Sequence, residues 1–155
     1  MEILKGKGVV LEIDVTTAVA TTTRGVEANF FPVVCLTENE FSMTHAEETT
    51  SNKCDGNWAT STSGLGSWTM TLSGQIMRLT TDEATTRKNS LVMKNLAKNG
   101  TIFYGRLTDV ANSPEDYNEG KVRITDYSES FPLEGPATFS LTLTGIGEPF
   151  FAPVV

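Results

Sequence analysis

The one histidine of this chain, His45, stands two residues before Glu47 and three before Glu48, with Cys54 a short way downstream. His-x-Glu is half of the signature of zinc deaminases, in which an imidazole binds the metal and a carboxylate moves the proton of the metal-bound water. The other half, Pro-Cys-x-x-Cys, is missing, and Cys54 is followed by Asp55. His45, Glu47, Glu48 and Cys54 therefore read as part of a solvated acidic loop. A single histidine leaves few ways to pair a nucleophile with a base, and no Gly-x-Ser-x-Gly occurs. Gly64-x-Gly66 and Gly145-x-Gly147 lack the rest of a dinucleotide fingerprint and precede no expected helix, so they read as turn glycines. Asn99-Gly100-Thr101 matches a glycosylation acceptor but falls on an expected helix stop. The remaining carboxylates are scattered, and no catalytic, cofactor or metal site is expected.

A different chemistry is written between Cys54 and Ile76. From Trp68 on, Trp68, Met70 and Leu72 alternate with Thr69, Thr71 and Ser73, and Gly74 closes the run. Near the C-terminus Phe139, Leu141 and Leu143 alternate with Ser140, Thr142 and Thr144, closed by Gly145. Successive side chains of a strand point to opposite faces, so each segment has one apolar face and one hydroxyl face. The two are expected to be partners or equivalents in one sheet, covering the core with one side and meeting water with the other.

The elements that must hold these strands follow from the rest of the chain. Its 155 residues suit a single domain with a proper core. At 39% apolar and 20% charged it is globular, and its abundant Thr, Ser and Val favour a mainly β class. A net charge of −7 repels nucleic acid phosphates rather than gripping them. MEILKGKG has no apolar core of an export signal, and no apolar run is long enough to span a bilayer. Two cysteines, Cys35 and Cys54, make no disulfide framework and are expected as free thiols.

Strands are expected over Val9–Asp14, around Val33–Leu36 with Pro32 at a start or an edge, and over Thr101–Leu107 and Lys121–Tyr127. The segment 42–67 shows no sustained period and reads as a long loop arm, with Trp58 suggesting that it docks on something. A helix is expected over about 81–99, capped by Thr80 with Glu83 and stopped by Gly100, with Leu91, Val92, Met93 and Leu96 as its apolar stripe. Its other side is basic: Arg87, Lys88, Lys94 and Lys98. An acidic, turn-rich loop runs from Asp109 to Glu119 and includes Glu115 and Asp116. An apolar tail, 146–155, carries Phe150 and Phe151. Six or seven strands and one helix point to a β-sandwich, or a curved sheet closed by a helix.

In their order, the long polar arm, the GLGSWTMTLSG strand, the helix and the closing ATFSLTLTGIGEP strand resemble the major tail tube proteins of long-tailed bacteriophages. The resemblance covers about Val9 to Pro149, with Asp14–Asn29 departing from the family pattern. It implies a β-sandwich flanked by one helix, whose copies join sheets edge to edge into rings, usually of six, that stack into a hollow tube in the virion. On that reading Thr69, Thr71, Ser73, Ser140, Thr142 and Thr144 line the lumen, where the alternative is an ordinary solvent face. Trp58, Phe150 and Phe151 are expected between subunits, and Arg87, Lys88, Lys94 and Lys98 are expected to face Glu115 and Asp116 of a neighbour. A tape-measure protein and a tail terminator are the further partners implied, DNA passes without specific binding, and assembly takes place in the host cytoplasm.

Two other readings fit the same pattern. One is the inner tube of a contractile injection or secretion machine, which shares the assembly physics. The other is a β-sandwich binding module for carbohydrate or protein, using Trp58, Trp68 and Tyr104 as a platform.

Overall fold

A computed structural model describes residues 8–19, 24–50, 56, 58, 60–109 and 113–151. Seven strands are present among them: β1 (Val9–Asp14), β2 (Phe31–Pro32), β3 (Leu36–Thr50), β4 (Thr60–Gln75), β5 (Phe103–Asp109), β6 (Ser113–Ser130) and β7 (Thr138–Phe151). They form one antiparallel sheet in the order β2-β1-β5-β6-β7-β4-β3, and a single helix, α1 (Ser90–Asn99), packs beside β6. The mainly β class with one helix is as expected. The two layers of the expected sandwich are halves of one curled sheet. Asn39 on β3 donates to the Val9 carbonyl on β1 at 3.0 Å, although the two strands stand far apart in the sheet order.

The curl encloses the apolar faces. Trp68, Met70 and Leu72 of β4 and Phe139, Leu141 and Leu143 of β7 are all buried, together with Leu11, Ile13, Phe103, Val122 and Met93 of α1. β4 and β7 are direct neighbours, with Met70 opposite Leu143 and Leu72 opposite Leu141. Trp68 fits where β4 and β7 part. A Cβ on Gly145 would lie 2.0 Å from its indole and one on Gly120 2.4 Å, so only glycine admits the ring at both places. Its Nε1 donates to the Gly147 carbonyl at 2.8 Å.

Four expectations are corrected. The segment 42–67 is not a loop over its length: β3 and β4 continue through it as a paired hairpin from Thr44 opposite Ser67 to Thr50 opposite Thr60. It was invisible to periodicity because both of its faces are exposed, so nothing selects alternation. The strand expected around Val33–Leu36 is broken by Cys35, which sits at φ 63 in the left-handed region and ends the extended run before β3 begins. Pro32 does lie in an edge strand. The acidic segment Asp109–Glu119 is largely strand, belonging to the ends of β5 and β6, and Glu115 and Asp116 fall within β6. The segment 146–151 is the end of β7, pairing Phe150 with Glu119 and Phe151 with Asn118, rather than a free tail; residues 152–155 lie outside the described part.

The helix begins nine residues later than expected. Thr80 and Glu83 do form the reciprocal cap, with Thr80 N–H donating to Glu83 Oε2 at 3.0 Å and Glu83 N–H to Thr80 Oγ1 at 3.4 Å. It caps only a 3-10 turn, Glu83–Thr85. The chain cannot continue helically because the Lys88 backbone is taken by the sheet region: its N–H donates to Pro32 O and its carbonyl accepts from Val34 N–H, both at 2.9 Å. Asn89 then starts α1, its side chain accepting from Val92 N–H, and Gly100 at φ 62 ends it as expected. Met93 is the stripe's buried residue, Val92 and Leu96 pack against the core, and Leu91 points out, 60% exposed.

Candidate functional site

The face of the sheet opposite the core is where polar chemistry collects. Register places Thr69 opposite Thr144, Thr71 opposite Thr142 and Ser73 opposite Ser140, so the six hydroxyl residues singled out from sequence stand in three cross-strand pairs. The outer neighbours extend each row. β3 adds Glu38 beside Ser73, Glu40 beside Thr71, Ser42 beside Thr69 and Thr44 beside Ser67. β6 adds Ser128 beside Ser140, Asp126 beside Thr142 and Arg123 beside Thr144, with Thr125 set out by a bulge. The result is a four-stranded polar face, β3-β4-β7-β6, carrying three carboxylates against Arg123 and, two residues earlier on the same side of β6, Lys121.

The hydroxyls of this face bond to each other. Ser128 Oγ and Ser140 Oγ are 2.7 Å apart, Thr125 Oγ1 and Thr144 Oγ1 2.9 Å, and Thr44 Oγ1 and Ser67 Oγ 3.0 Å. Cross-strand hydroxyl pairs of this kind hold register and satisfy one another while leaving lone pairs for water. Such a face is wet, weakly acidic and without a directed charge. A hollow of about 300 Å³ opens at one end of it, lined by the hydroxyls of Ser73, Ser128, Ser130, Thr138 and Ser140 together with Glu129.

Both lateral edges of this four-stranded layer are unpaired by any strand described. β3 pairs only with β4, over fifteen residues. On the other side, β5 leaves β6 at Val122, so from Arg123 to Ser130 β6 pairs with β7 alone. Long unpaired edges are normally a liability that proteins blunt. Here they flank the same layer.

The residues expected between subunits divide. Trp58, near the tip of the β3–β4 hairpin, is 84% exposed. Arg87 and Lys98 are exposed, but Lys88 lies half-buried with its Nζ 4.8 Å above the Phe31 ring. Lys94 Nζ bonds Glu129 Oε2 of its own chain at 3.0 Å. The Lys94 ammonium holds the Glu129 carboxyl below its ordinary value, aided by the Tyr127 hydroxyl, while burial and that same carboxylate push the Tyr127 phenol up. Phe150 lies 3.9 Å under the Arg24 guanidinium, and Phe151 meets Phe41 edge-on at 5.9 Å. The side chains of Glu115 and Asp116 lie outside the described part. His45, Glu47 and Glu48 sit exposed on the hairpin, and no cluster of three metal-ligating groups occurs among the described residues. The aromatic platform expected of a binding module is not formed: Trp68 and Tyr104 are both buried in the core region.

Sequence reading missed three buried polar groups, all serving the segment after β1. Asp14 is fully buried and accepts from the backbone N–H of Thr16, Thr17 and Val26, each at 3.0 Å, and from the Thr16 and Thr17 hydroxyls. Burial alone would raise its pKa, but these hydrogen bonds outweigh it and hold the carboxyl below its ordinary value. Glu119, also buried, accepts from Gly25 N–H at 3.0 Å and Arg24 Nη2 at 3.2 Å. Glu12 and Arg106 form a largely buried pair at 2.6 Å, and the Arg106 guanidinium lies 4.2 Å over Phe30. The only sequence signal was Asp14 heading a Thr-Thr run, an Asx-turn pattern.

A curled sheet with one wet layer and two open edges has the form of a structural protein whose edges further copies can pair. The family model described as phage tail tube protein matches residues 3–151. The chain belongs to the phage tail tube protein family, and its role is a structural one in a tail tube. Among solved structures, the tail of an empty gene transfer agent particle, refined with C6 symmetry, matches at 16% identity and a TM-score of 0.70, over 97% of this chain and 100% of that one. A chain of the native gene transfer agent virion matches at 15% identity and a TM-score of 0.69, over 97% and 100%. The SPP1 tail tube matches at 15% identity and a TM-score of 0.67, over 99% of this chain and 81% of that one. No curated protein matches the sequence.

Proposed function

We propose that copies of this chain join edge to edge into closed rings, that the rings stack into the tail tube, and that the hydroxyl face of β3-β4-β7-β6 lines the bore through which DNA passes. The observation that carries this reading is the pair of open edges on one layer. Strand direction alternates across β3-β4-β7-β6, so β3 and β6 run in opposite senses. Rotation about a ring axis preserves each strand's sense along that axis, so β6 of one copy meets β3 of the next antiparallel, and the ladder continues without a defect. The six-fold symmetry of the gene transfer agent tail, applied here, makes a barrel of 24 strands. At about 4.8 Å per strand its backbone diameter is roughly 40 Å, more once the strands tilt. That leaves room for a double helix and a water layer.

The wall suits passage rather than binding. DNA grips proteins through lysine and arginine that displace its counterions, and this face sets Lys121 and Arg123 against three carboxylates and many hydroxyls. The role is structural, in the virion, with assembly in the host cytoplasm. A tape-measure protein and a tail terminator are the natural partners within and at the end of such a tube. Negative-stain microscopy of the purified chain tests the reading directly. Rings or tubes with a continuous bore are expected; a chain that stays monomeric at high concentration and near-physiological salt overturns it.

A further inference from the structure

The curl of the sheet leaves a seam. Where β3 begins, it meets the β1–β2 edge through the Asn39–Val9 hydrogen bond, and beside that contact lies a groove of about 910 Å³. Val9, Pro32, Val33, Val34 and Leu36 form an apolar wall beside Cys35, and Thr37, Glu38, Asn39 and Arg87 form a polar one. At the opposite edge of the same layer, β6 runs out at Ser130 into Phe131-Pro132-Leu133-Glu134. Phe131 is 70% exposed and Leu133 fully exposed. Two large apolar side chains held out on a turn next to a strand end are not scattered surface residues; they mark a contact.

We infer that the Phe131–Leu133 turn of one copy fills the seam groove of the next, and that this plug, more than the backbone ladder, supplies the hydrophobic part of the ring joint. The inference rests on the edge-to-edge reading above and adds its side-chain contact. Polarity supports it. In an antiparallel β6–β3 joint, the end of β6 that leads into Phe131 meets the beginning of β3, at Leu36, which is where the groove opens. Arg87 and Glu38 both line the groove and Glu134 follows Leu133 on the turn, so the ion pair open to the plug is Glu134 with Arg87. The occupant is therefore a second copy of this chain. A groove at one edge and a plug at the other make the contact heterologous, which closes into a ring rather than a two-fold dimer.

Cys35 gives the test a native reporter inside the groove. In a Cys54→Ser background, Leu133→Cys is assembled, treated with a short bis-maleimide and run on a denaturing gel. The expected result is a ladder of covalent oligomers ending at the ring number, abolished by Cys35→Ser. Separately, Phe131→Asp and Leu133→Asp, both at exposed positions, should leave the circular dichroism and melting of the monomer unchanged. They should raise the concentration needed for assembly at least tenfold. If tubes form and only monomer bands appear, and the Asp variants assemble like the wild type, the plug is overturned while the ring reading stands. If the wild-type chain forms no rings at all, the ring reading fails and the plug with it.

Discussion

Asp14 shows how much a single buried carboxylate can organise. It takes hydrogen bonds from three backbone N–H groups and two hydroxyls, tying the turn after β1 to Val26 across the segment. Removing the acceptor leaves several buried donors unsatisfied, each costing about 1–3 kcal/mol before relaxation. Asp14→Ala is expected to lower stability by about 2–4 kcal/mol in urea unfolding, at the large end for one substitution. The pH dependence follows from the depressed pKa. A carboxyl lowered by folding stabilises at pH above its unfolded value of 3.8, and that contribution is lost as pH falls through the lower folded value. The wild type should therefore lose stability below about pH 4 more steeply than Asp14→Asn, in melts taken between pH 6 and 2.5. Thr71 and Thr142 carry a second test at this scale, since they face each other in the middle of the wet layer. Cysteine at either position should resist a bulky thiol reagent in end-capped tubes yet react in dissociated subunits. Equal labelling in both states would place the face outside.

At the scale of elements, the two strands of the wet layer were legible because each is buried on one side only. That condition writes strict alternation into the sequence, and Trp68 to Ser73 and Phe139 to Thr144 obey it residue by residue. The hairpin arm of β3 and β4 was illegible for the converse reason. Beyond Ser67 it has no covered face, so Glu47, Glu48, Thr62 and Ser63 follow no period, and only pairing reveals them as strand. The late start of α1 could not be read locally either, because Lys88 is diverted by Pro32 and Val34, which lie more than fifty residues earlier. Where β4 parts from β7, the join is steric. Gly145→Ala puts a methyl into the Trp68 indole, and overpacking of that kind costs about 1–3 kcal/mol. The substitution should also displace Trp68 from Gly147 and so loosen the arm, read as a shifted tryptophan emission together with the stability loss. An unchanged spectrum would show that Trp68 does not set the arm's position.

For the whole molecule, the decisive property is the mismatch between its two surfaces. The core side is finished within one chain, while the wet layer ends at open edges that, on the proposed ring, further copies complete. On the basic helix flank Lys94 is paired with Glu129 of its own chain, and exposed ion pairs are worth only about 0–1 kcal/mol. On the proposed ring, by contrast, the acidic bias of the hydroxyl face is multiplied by every copy. Glu38, Glu40 and Asp126 stand in adjacent rows and outnumber the cations of the face, Lys121 and Arg123. Glu40→Lys with Asp126→Lys turns that wall cationic without touching an apolar side chain, so assembly should persist. Each lysine that neutralises a phosphate steepens the salt dependence of DNA binding by nearly one unit in log K against log salt. Wild-type tubes incubated with short duplexes should sediment without them at 50 mM salt, whereas the double variant should retain DNA at 50 mM and release it steeply by 300 mM. If both tubes leave the duplex in solution, the face is not the wall of the passage, and its hydroxyls and carboxylates do no more than keep the tube's exterior in water.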